Sequence, residues 1–287
     1  MPIKMDGELF FSIKELSTLS TVGKKKINAV LAEGDYTVVV SGSDRYIPKK
    51  QLGGLFNAIQ KNAPKHYYTL NSQFTDAAWR KALAAIYKEQ IAFPACLAPA
   101  QGEFLRSLIL NLGPSTVVEI GCFIGASTIW AASALEDLGD NRTLYGIDLF
   151  EDKYPCPPFT YTYFSDSLQF AQDMTSKAEL AHRIKFIQGH SLDVGARFNE
   201  LIGAPIDFLF IDGDHTVDGC IADFFTYEPK LKAGGYILLH DIYPKICGWD
   251  GPRVLIDRIL RNDSRFEVME ITTAPLNFGL ALIRKTA

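Results

Sequence analysis

The chain has 287 residues, with 29 Lys and Arg against 33 Asp and Glu and a formal net charge of -4, a balance that offers no electrostatic grip on a phosphate backbone and weighs against nucleic acid as a partner. No apolar run approaches the roughly 20 residues that span a bilayer, and Met1-Pro-Ile-Lys lacks a signal-peptide core. Five cysteines (Cys96, Cys122, Cys156, Cys220, Cys247) without a C-x-x-C pair disfavour a disulfide framework or a zinc site and fit buried small hydrophobes in a reducing compartment, so the cytoplasm is the expected location.

In chain order, residues 1–65 are expected to form a small α+β module. Ser12 and Glu15 have capping-box spacing, and apolar Leu16, Leu19, Val22, Ile27, Val30 and Leu31 recur until Gly34 stops the helical pattern. Lys24, Lys25 and Lys26 are placed between two short helices. Tyr36–Val40, a turn at Ser41–Asp44 and Arg45–Pro48 read as a hairpin. Two helices and a hairpin look like a small winged helix-turn-helix, but the pattern is common, and dimerisation or cover of an active site is the favoured role. Lys49 to His66 is the expected linker, and residues 66–287 a second, larger domain.

From Thr75 the helical period returns through Tyr87, and a further helix runs from Gln101 to Leu112, stopped by Gly113-Pro114. Val117 to Thr128 then reads as strand, tight turn and helix: an apolar run ends in an acid, Gly121 and Gly125 follow four residues apart, and Ser127 opens an Ala-rich amphipathic helix to residue 138. The glycines allow a sharp turn and the close approach of a ligand at a strand end, where open α/β sheets bind nucleotides. Neither G-x-G-x-x-G nor G-x-x-x-x-G-K-[ST] is present. What remains is Glu119 before the first glycine and Asp148 at the end of the next apolar run. Two acids on adjacent strand ends suit a ligand with a cationic amino-acid part and a ribose diol, such as S-adenosylmethionine; a turn that merely punctuates strand and helix is the competing reading.

Here the chain resembles a family. Ala98–Leu110 followed by Val118–Thr128 is similar to the entry helix and first motif of class I S-adenosylmethionine-dependent O-methyltransferases of the caffeoyl-CoA and catechol type, and of related natural-product enzymes. The likeness runs from about residue 75 to residue 287. It implies a Rossmann-like α/β fold with a mostly parallel seven-stranded sheet closed by an antiparallel C-terminal hairpin, here Phe266–Ile271 and Phe278–Arg284. It also implies cofactor contacts from Glu119, Gly121, Gly125, Ser127, Asp148 and Asp212, and, after a third strand over Arg183–Gly189, adenine contacts from Gly189, His190 and Ser191. Between strands two and three, Phe150 to Phe170 is dense in aromatics and prolines; it reads either as a wall for a flat substrate or as a loop packed on the sheet.

Strand four, Ile206–Asp212, delivers Asp212, Asp214 and His215 to the same rim, and strand five, Gly234–Asp241, adds His240 and Asp241. The resemblance implies a divalent cation such as Mg2+ on carboxylates ending these strands, and Asp212 and Asp241 occupy two of the positions. Ile242 stands where catechol-type enzymes carry Asn and cannot bind a metal, which leaves His240 as third ligand. His215, three residues after Asp212, stands where those enzymes carry a lysine that takes the proton; a histidine suits the task, and a histidine that fixes the turn is its bland alternative. Trp249 either packs on substrate or anchors its loop. The expected function is O-methylation of a small aromatic or polyhydroxylated metabolite by a homodimer or higher homo-oligomer. A nucleic-acid methyltransferase guided by the N-terminal module and a non-catalytic scaffold are the alternatives, and the first lacks an [ND]-P-P-[FYW] motif after strand four.

Overall fold

The computed structural model describes residues 3–5, 8–20, 24–52, 55, 58, 76–89, 91–151, 153–155, 161–273 and 277–287. A four-stranded and a seven-stranded sheet organise them, beside a two-stranded pair. The N-terminal segment pairs β1 (Ile3–Met5), β2 (Glu8–Ser12), β4 (Asp44–Pro48) and β3 (Val39–Ser41) in that spatial order, all antiparallel. Helices α1 (Ile13–Ser20) and α2 (Lys24–Glu33) cover it, and Phe11, Leu16, Ile27, Val30, Leu31 and Ile47 form a core of their own. The capping box is present: Ser12 N donates to Glu15 Oε2 at 2.8 Å and Glu15 N to Ser12 Oγ at 3.2 Å. Two sequence expectations change here. Lys24 opens α2 rather than preceding it, and β1 and β2 went unpredicted because three to five residues are too few to show a period of two. The expected linker falls mostly outside the described residues.

The larger sheet has the order β12-β13-β11-β10-β5-β6-β9, where β5 is Thr116–Ile120, β6 Thr143–Asp148, β9 Ile184–Gln188, β10 Ile206–Ile211, β11 Leu231–His240, β12 Phe266–Ile271 and β13 Leu280–Lys285. β7 (Lys153–Pro155) and β8 (Tyr161–Tyr163) form a separate two-stranded pair. Strands β9, β6, β5, β10 and β11 are mutually parallel, and β13 runs antiparallel between β11 and β12. The expected C-terminal hairpin therefore closes the sheet with β13 inserted and β12 at the edge.

Every residue of β5 is buried, as a strand covered on both faces must be. Side-chain alternation sends Val117, Phe208, Phe210 and Leu238 into a layer with α3 (Ala78–Ile86), α4 (Pro99–Leu112), α5 (Ala126–Leu138) and α6 (Ser167–Lys177). Val118, Ile120, Leu209, Ile211 and Leu239 meet α7 (Ser191–Ala196), α8 (Val217–Tyr227) and residues 255–260 on the other face. From β5 the chain proceeds to β6 and β9 on one side, then returns to β10 on the other. That reversal leaves a crevice beyond the carboxyl ends of β5 and β10, the place where such sheets bind ligands.

Candidate active site

Register builds the site. Ile120 pairs with Ile147 on one side and Ile211 on the other, and Ile211 pairs with Leu239. The next residues along, Gly121, Asp148, Asp212 and His240, with Asp241 after it, therefore emerge side by side. They open into one cavity of about 630 Å³, lined among others by Gly121, Ser127, Asp148, Gly189, His190, Ser191, Asp212, His215, His240, Asp241, Trp249 and Phe278.

The glycine turn works differently from the expectation. Gly121 has φ +89°, and a Cβ there would lie 2.1 Å from the Asp212 carbonyl oxygen. The close approach it permits is that of the neighbouring strand end, locked by Asp212 N donating to Ile120 O at 2.8 Å. Gly125, φ +85°, is the N-cap of α5 and lies outside the lining. Glu119 also sits beneath the cavity, accepting from Thr128 Oγ1 at 2.6 Å, and burial pushes its carboxyl up to about 7. Asp148 does reach the cavity, while its Oδ2 accepts from Cys122 N and Phe123 N and its Oδ1 from Phe150 N, at 2.6–2.8 Å. One acid thus pins the glycine turn to the end of the next strand.

On the β9 side, His190 is the N-cap of α7, its Nδ1 accepting from Leu192 N at 3.2 Å. The Ser191 hydroxyl donates to buried Asp223, whose carboxyl is pushed up to about 6 by desolvation. Asp223 lines the cavity and had no signal in the sequence beyond its place on an amphipathic helix.

On the β11 side lies a cluster of two carboxylates and two imidazoles. His215 Nε2 is 3.0 Å from Asp241 Oδ2 and 3.7 Å from Asp212 Oδ1. His240 Nδ1 is 2.9 Å from Asp212 Oδ1 and 3.0 Å from Asp241 Oδ1, the latter off the hydrogen-bond direction, so that buried Asp241 Oδ1 makes no hydrogen bond. His240 Nε2 faces the Asn277 carbonyl at 3.1 Å and Gln101 Oε1 at 3.3 Å. Burial disfavours charge on both rings, but the Asp212 and Asp241 carboxylates outweigh it and raise both imidazoles above the ordinary histidine range. Asp241 has φ +60°, a left-handed conformation that aspartate tolerates better than most residues and that turns its carboxylate back toward the strand ends.

Asp212, His240 and Asp241 each offer a ligand atom within 4.8 Å of the others. Two carboxylates, an imidazole whose far nitrogen is held by a backbone carbonyl, and an orphaned buried carboxylate oxygen fit a divalent cation. Sequence reasoning missed Gln101 and Asn277: Gln101 lies one turn into α4 and reads as ordinary helix, and Asn277 supplies only a carbonyl, which no side-chain pattern encodes.

The segment 244–251 folds over His215. Gly251 N donates to His215 O at 3.1 Å, and a Cβ at Gly251 would lie 2.5 Å from that oxygen. Of the stretch read as a substrate wall or a packed loop, Tyr154, Phe159, Tyr161 and Tyr163 lie outside the described side chains, and of its aromatic rings only Phe150, Phe164 and Phe170 are described. Phe150 packs edge-on against Phe186, and Phe164 against Phe170, all directed into the protein, while Leu149 and Glu151 are what the cavity sees. Ring burial on the sheet outweighs exposure at a rim.

The sequence pattern of the family described as "Methyltransferase domain" matches residues 118–242, from β5 to just past β11. Those residues are similar to a methyltransferase domain. Among curated proteins, the chain is 26% identical over 145 residues to a catechol O-methyltransferase from Niastella koreensis, covering 50% of this chain and 57% of that protein. A caffeoyl-CoA O-methyltransferase from Nicotiana tabacum is 25% identical over 210 residues, covering 64% and 74%. Among solved structures, an O-methyltransferase of tomaymycin synthesis from Streptomyces achromogenes, in complex with SAM, shares the fold with a TM-score of 0.59 at 20% identity, covering 83% of this chain and 96% of that one. An O-methyltransferase from Bacillus cereus in complex with SAH gives 0.57 at 20% identity, covering 71% and 90%. The seven-stranded Rossmann-like methyltransferase fold expected from the sequence is the one present.

Proposed function

We propose that the chain is an S-adenosylmethionine-dependent O-methyltransferase that methylates a hydroxyl of a small aromatic or polyhydroxylated metabolite. The observation that carries this reading is the Asp241–His215 pair at 3.0 Å in a cavity that also exposes the glycine turn and Asp148. Methyl transfer from a sulfonium is an in-line displacement, so the acceptor oxygen must be aligned with the methyl carbon and relieved of its proton. In its neutral state His215 donates its Nε2–H to Asp241 and takes that proton on Nδ1, the nitrogen that does not face the carboxylate, and Asp241 orients the ring and stabilises the imidazolium that results.

Gly121, Ser127, Asp148, Gly189, His190, Ser191 and Asp212 hold the cofactor in this reading, with Glu119 and Gly125 shaping the turn from behind. Asp212, His240 and Asp241 would hold a divalent cation. When bound, it supplies Lewis acidity and a template for adjacent hydroxyls. Trp249 and Phe278 give the acceptor side apolar surface. The relatives named for catechol and caffeoyl-CoA methylation support the acceptor class.

The module of β1–β4 is read as a dimerisation element or a cover, placing the working protein as a homodimer or higher oligomer in the cytoplasm. No helix among the described residues is long and apolar enough to cross a membrane. Calorimetry with S-adenosylhomocysteine, followed by methyl transfer to a panel of catechols and polyols, tests the function. A folded protein that binds no S-adenosylhomocysteine refutes it.

A further inference from the structure

The cation site departs from an all-oxygen design, and the departure is built in rather than incidental. Ile242, the residue after Asp241, is fully buried among Leu239, Ile256 and Leu260 in the apolar layer beneath the sheet, so it gives the cluster no oxygen. His240, only 5% exposed, turns Nδ1 toward Asp212 and Asp241. Its other nitrogen sees two acceptors, the Asn277 carbonyl and Gln101 Oε1. The Gln101 amide is oriented in turn, because its Nε2 donates to the same Asn277 carbonyl at 2.6 Å. Nε2 therefore keeps its proton, and Nδ1, whose own proton the two carboxylates hold in the cation-free cluster, is the nitrogen that presents a lone pair once a cation displaces that proton. A ring so anchored matches the way proteins hold metal-binding histidines, with the far N–H on a carbonyl.

Resting on the reading of Asp212, His240 and Asp241 as ligands, we infer that this site selects a divalent transition-metal ion of the Mn2+ type over Mg2+, with His240 Nδ1 as a direct ligand and Gln101 and the Asn277 carbonyl as the groups that position it. Mg2+ takes oxygen ligands in a rigid octahedron and sheds water reluctantly, whereas first-row transition ions accept imidazole readily and tolerate a mixed nitrogen and oxygen set. Two carboxylates keep the site oxygen-rich, which suits Mn2+ among those ions. Asp241 Oδ1, buried without a hydrogen bond, is the second observation that points to a cation.

The test is binding and spectroscopy on the full chain after chelator treatment, with and without S-adenosylhomocysteine. Mn2+ is titrated by the loss of its free-ion electron paramagnetic resonance signal, Mg2+ competes, and pulsed measurements read nitrogen coupling to the bound ion. Mn2+ binding at least about tenfold tighter than Mg2+, with imidazole nitrogen coupling that vanishes in His240→Asn, is the expected result. Gln101→Leu, which leaves all three ligands in place, weakens Mn2+ by about 10- to 100-fold with S-adenosylhomocysteine affinity unchanged.

Mg2+ binding as tightly as Mn2+, no Mn2+ binding in either condition, or a wild-type spectrum without nitrogen coupling overturns the inference. Coupling that survives in His240→Asn and disappears in His215→Asn overturns it as well. The wild-type measurements decide the matter even if a variant fails to fold. Nucleoside calorimetry is scored separately: failure there removes the methyltransferase reading and leaves the metal result standing.

Discussion

His215 and Glu119 show how one rim separates chemistry from support. His215 lies against the Asp241 carboxylate and lines the cavity, so His215→Ala is expected to lower kcat by about 10²- to 10⁴-fold, the range for loss of a general base, with S-adenosylhomocysteine affinity unchanged. Single-turnover methyl transfer and calorimetry measure the two. Glu119 is buried and its carboxyl is pushed up to about 7. Between the ordinary glutamate range near 4.5 and pH 7 the folded chain holds a proton that the unfolded chain has released. Stability therefore falls as pH rises through that window, and the cost of ionising the buried group is fully expressed above it. Glu119→Gln keeps an acceptor for Thr128 and cannot ionise. Urea unfolding should show the variant gaining on the wild type by about 3 kcal/mol between pH 4.5 and 8, and equal slopes for both would contradict the assignment.

At the scale of elements, the strand ends matter more than the helices. Gly121→Ala places a Cβ 2.1 Å from the Asp212 carbonyl in a left-handed backbone, and the expected cost is about 2–4 kcal/mol with a matching drop in the thermal midpoint and in nucleoside affinity. Gly113→Ala is the control: its backbone is left-handed, with φ +60°, but nothing lies within 4 Å of its Cβ, so it should cost less. The elements most legible in the sequence were those with long periods or strong punctuation. Strands β5, β6, β10 and β11 stood out as apolar runs ending in Gly121, Asp148, Asp212 and Asp241, because a strand buried on both faces must be continuously apolar, whereas β9 at the sheet edge is mixed and half-exposed. The convergence of Asp212, His240 and Asp241 was legible for the same reason, since the side chains follow from where runs stop. Gln101 and Asn277 were not, because their roles depend on a contact between α4 and the segment before β13, 176 residues apart. For the Phe150–Phe170 stretch the sequence left two readings open because aromatic density says nothing of direction.

For the whole molecule, the apolar cluster of β1–β4, α1 and α2 shares no residue, among those described, with the two layers of the seven-stranded sheet. A chain restricted to residues 76–287 is therefore expected to fold and to bind S-adenosylhomocysteine, while light scattering reads whether association is lost with the module. Loss of nucleoside binding on truncation would instead make the module part of the site. The placement of β13 carries a different consequence, one of timing. β11 holds His240 and Asp241, yet its outer neighbour in the sheet is the strand made after β12, and the carbonyl that fixes His240 belongs to Asn277, just ahead of that strand. On the ribosome, the site's carboxylates and Gln101 emerge before the Asn277 carbonyl that completes the orientation of its imidazole. A nascent or truncated chain stopping short of Asn277 carries an open β11 edge and a ring with only Gln101 to hold its far nitrogen, so the imidazole reaches its final setting only when the last strand is in place.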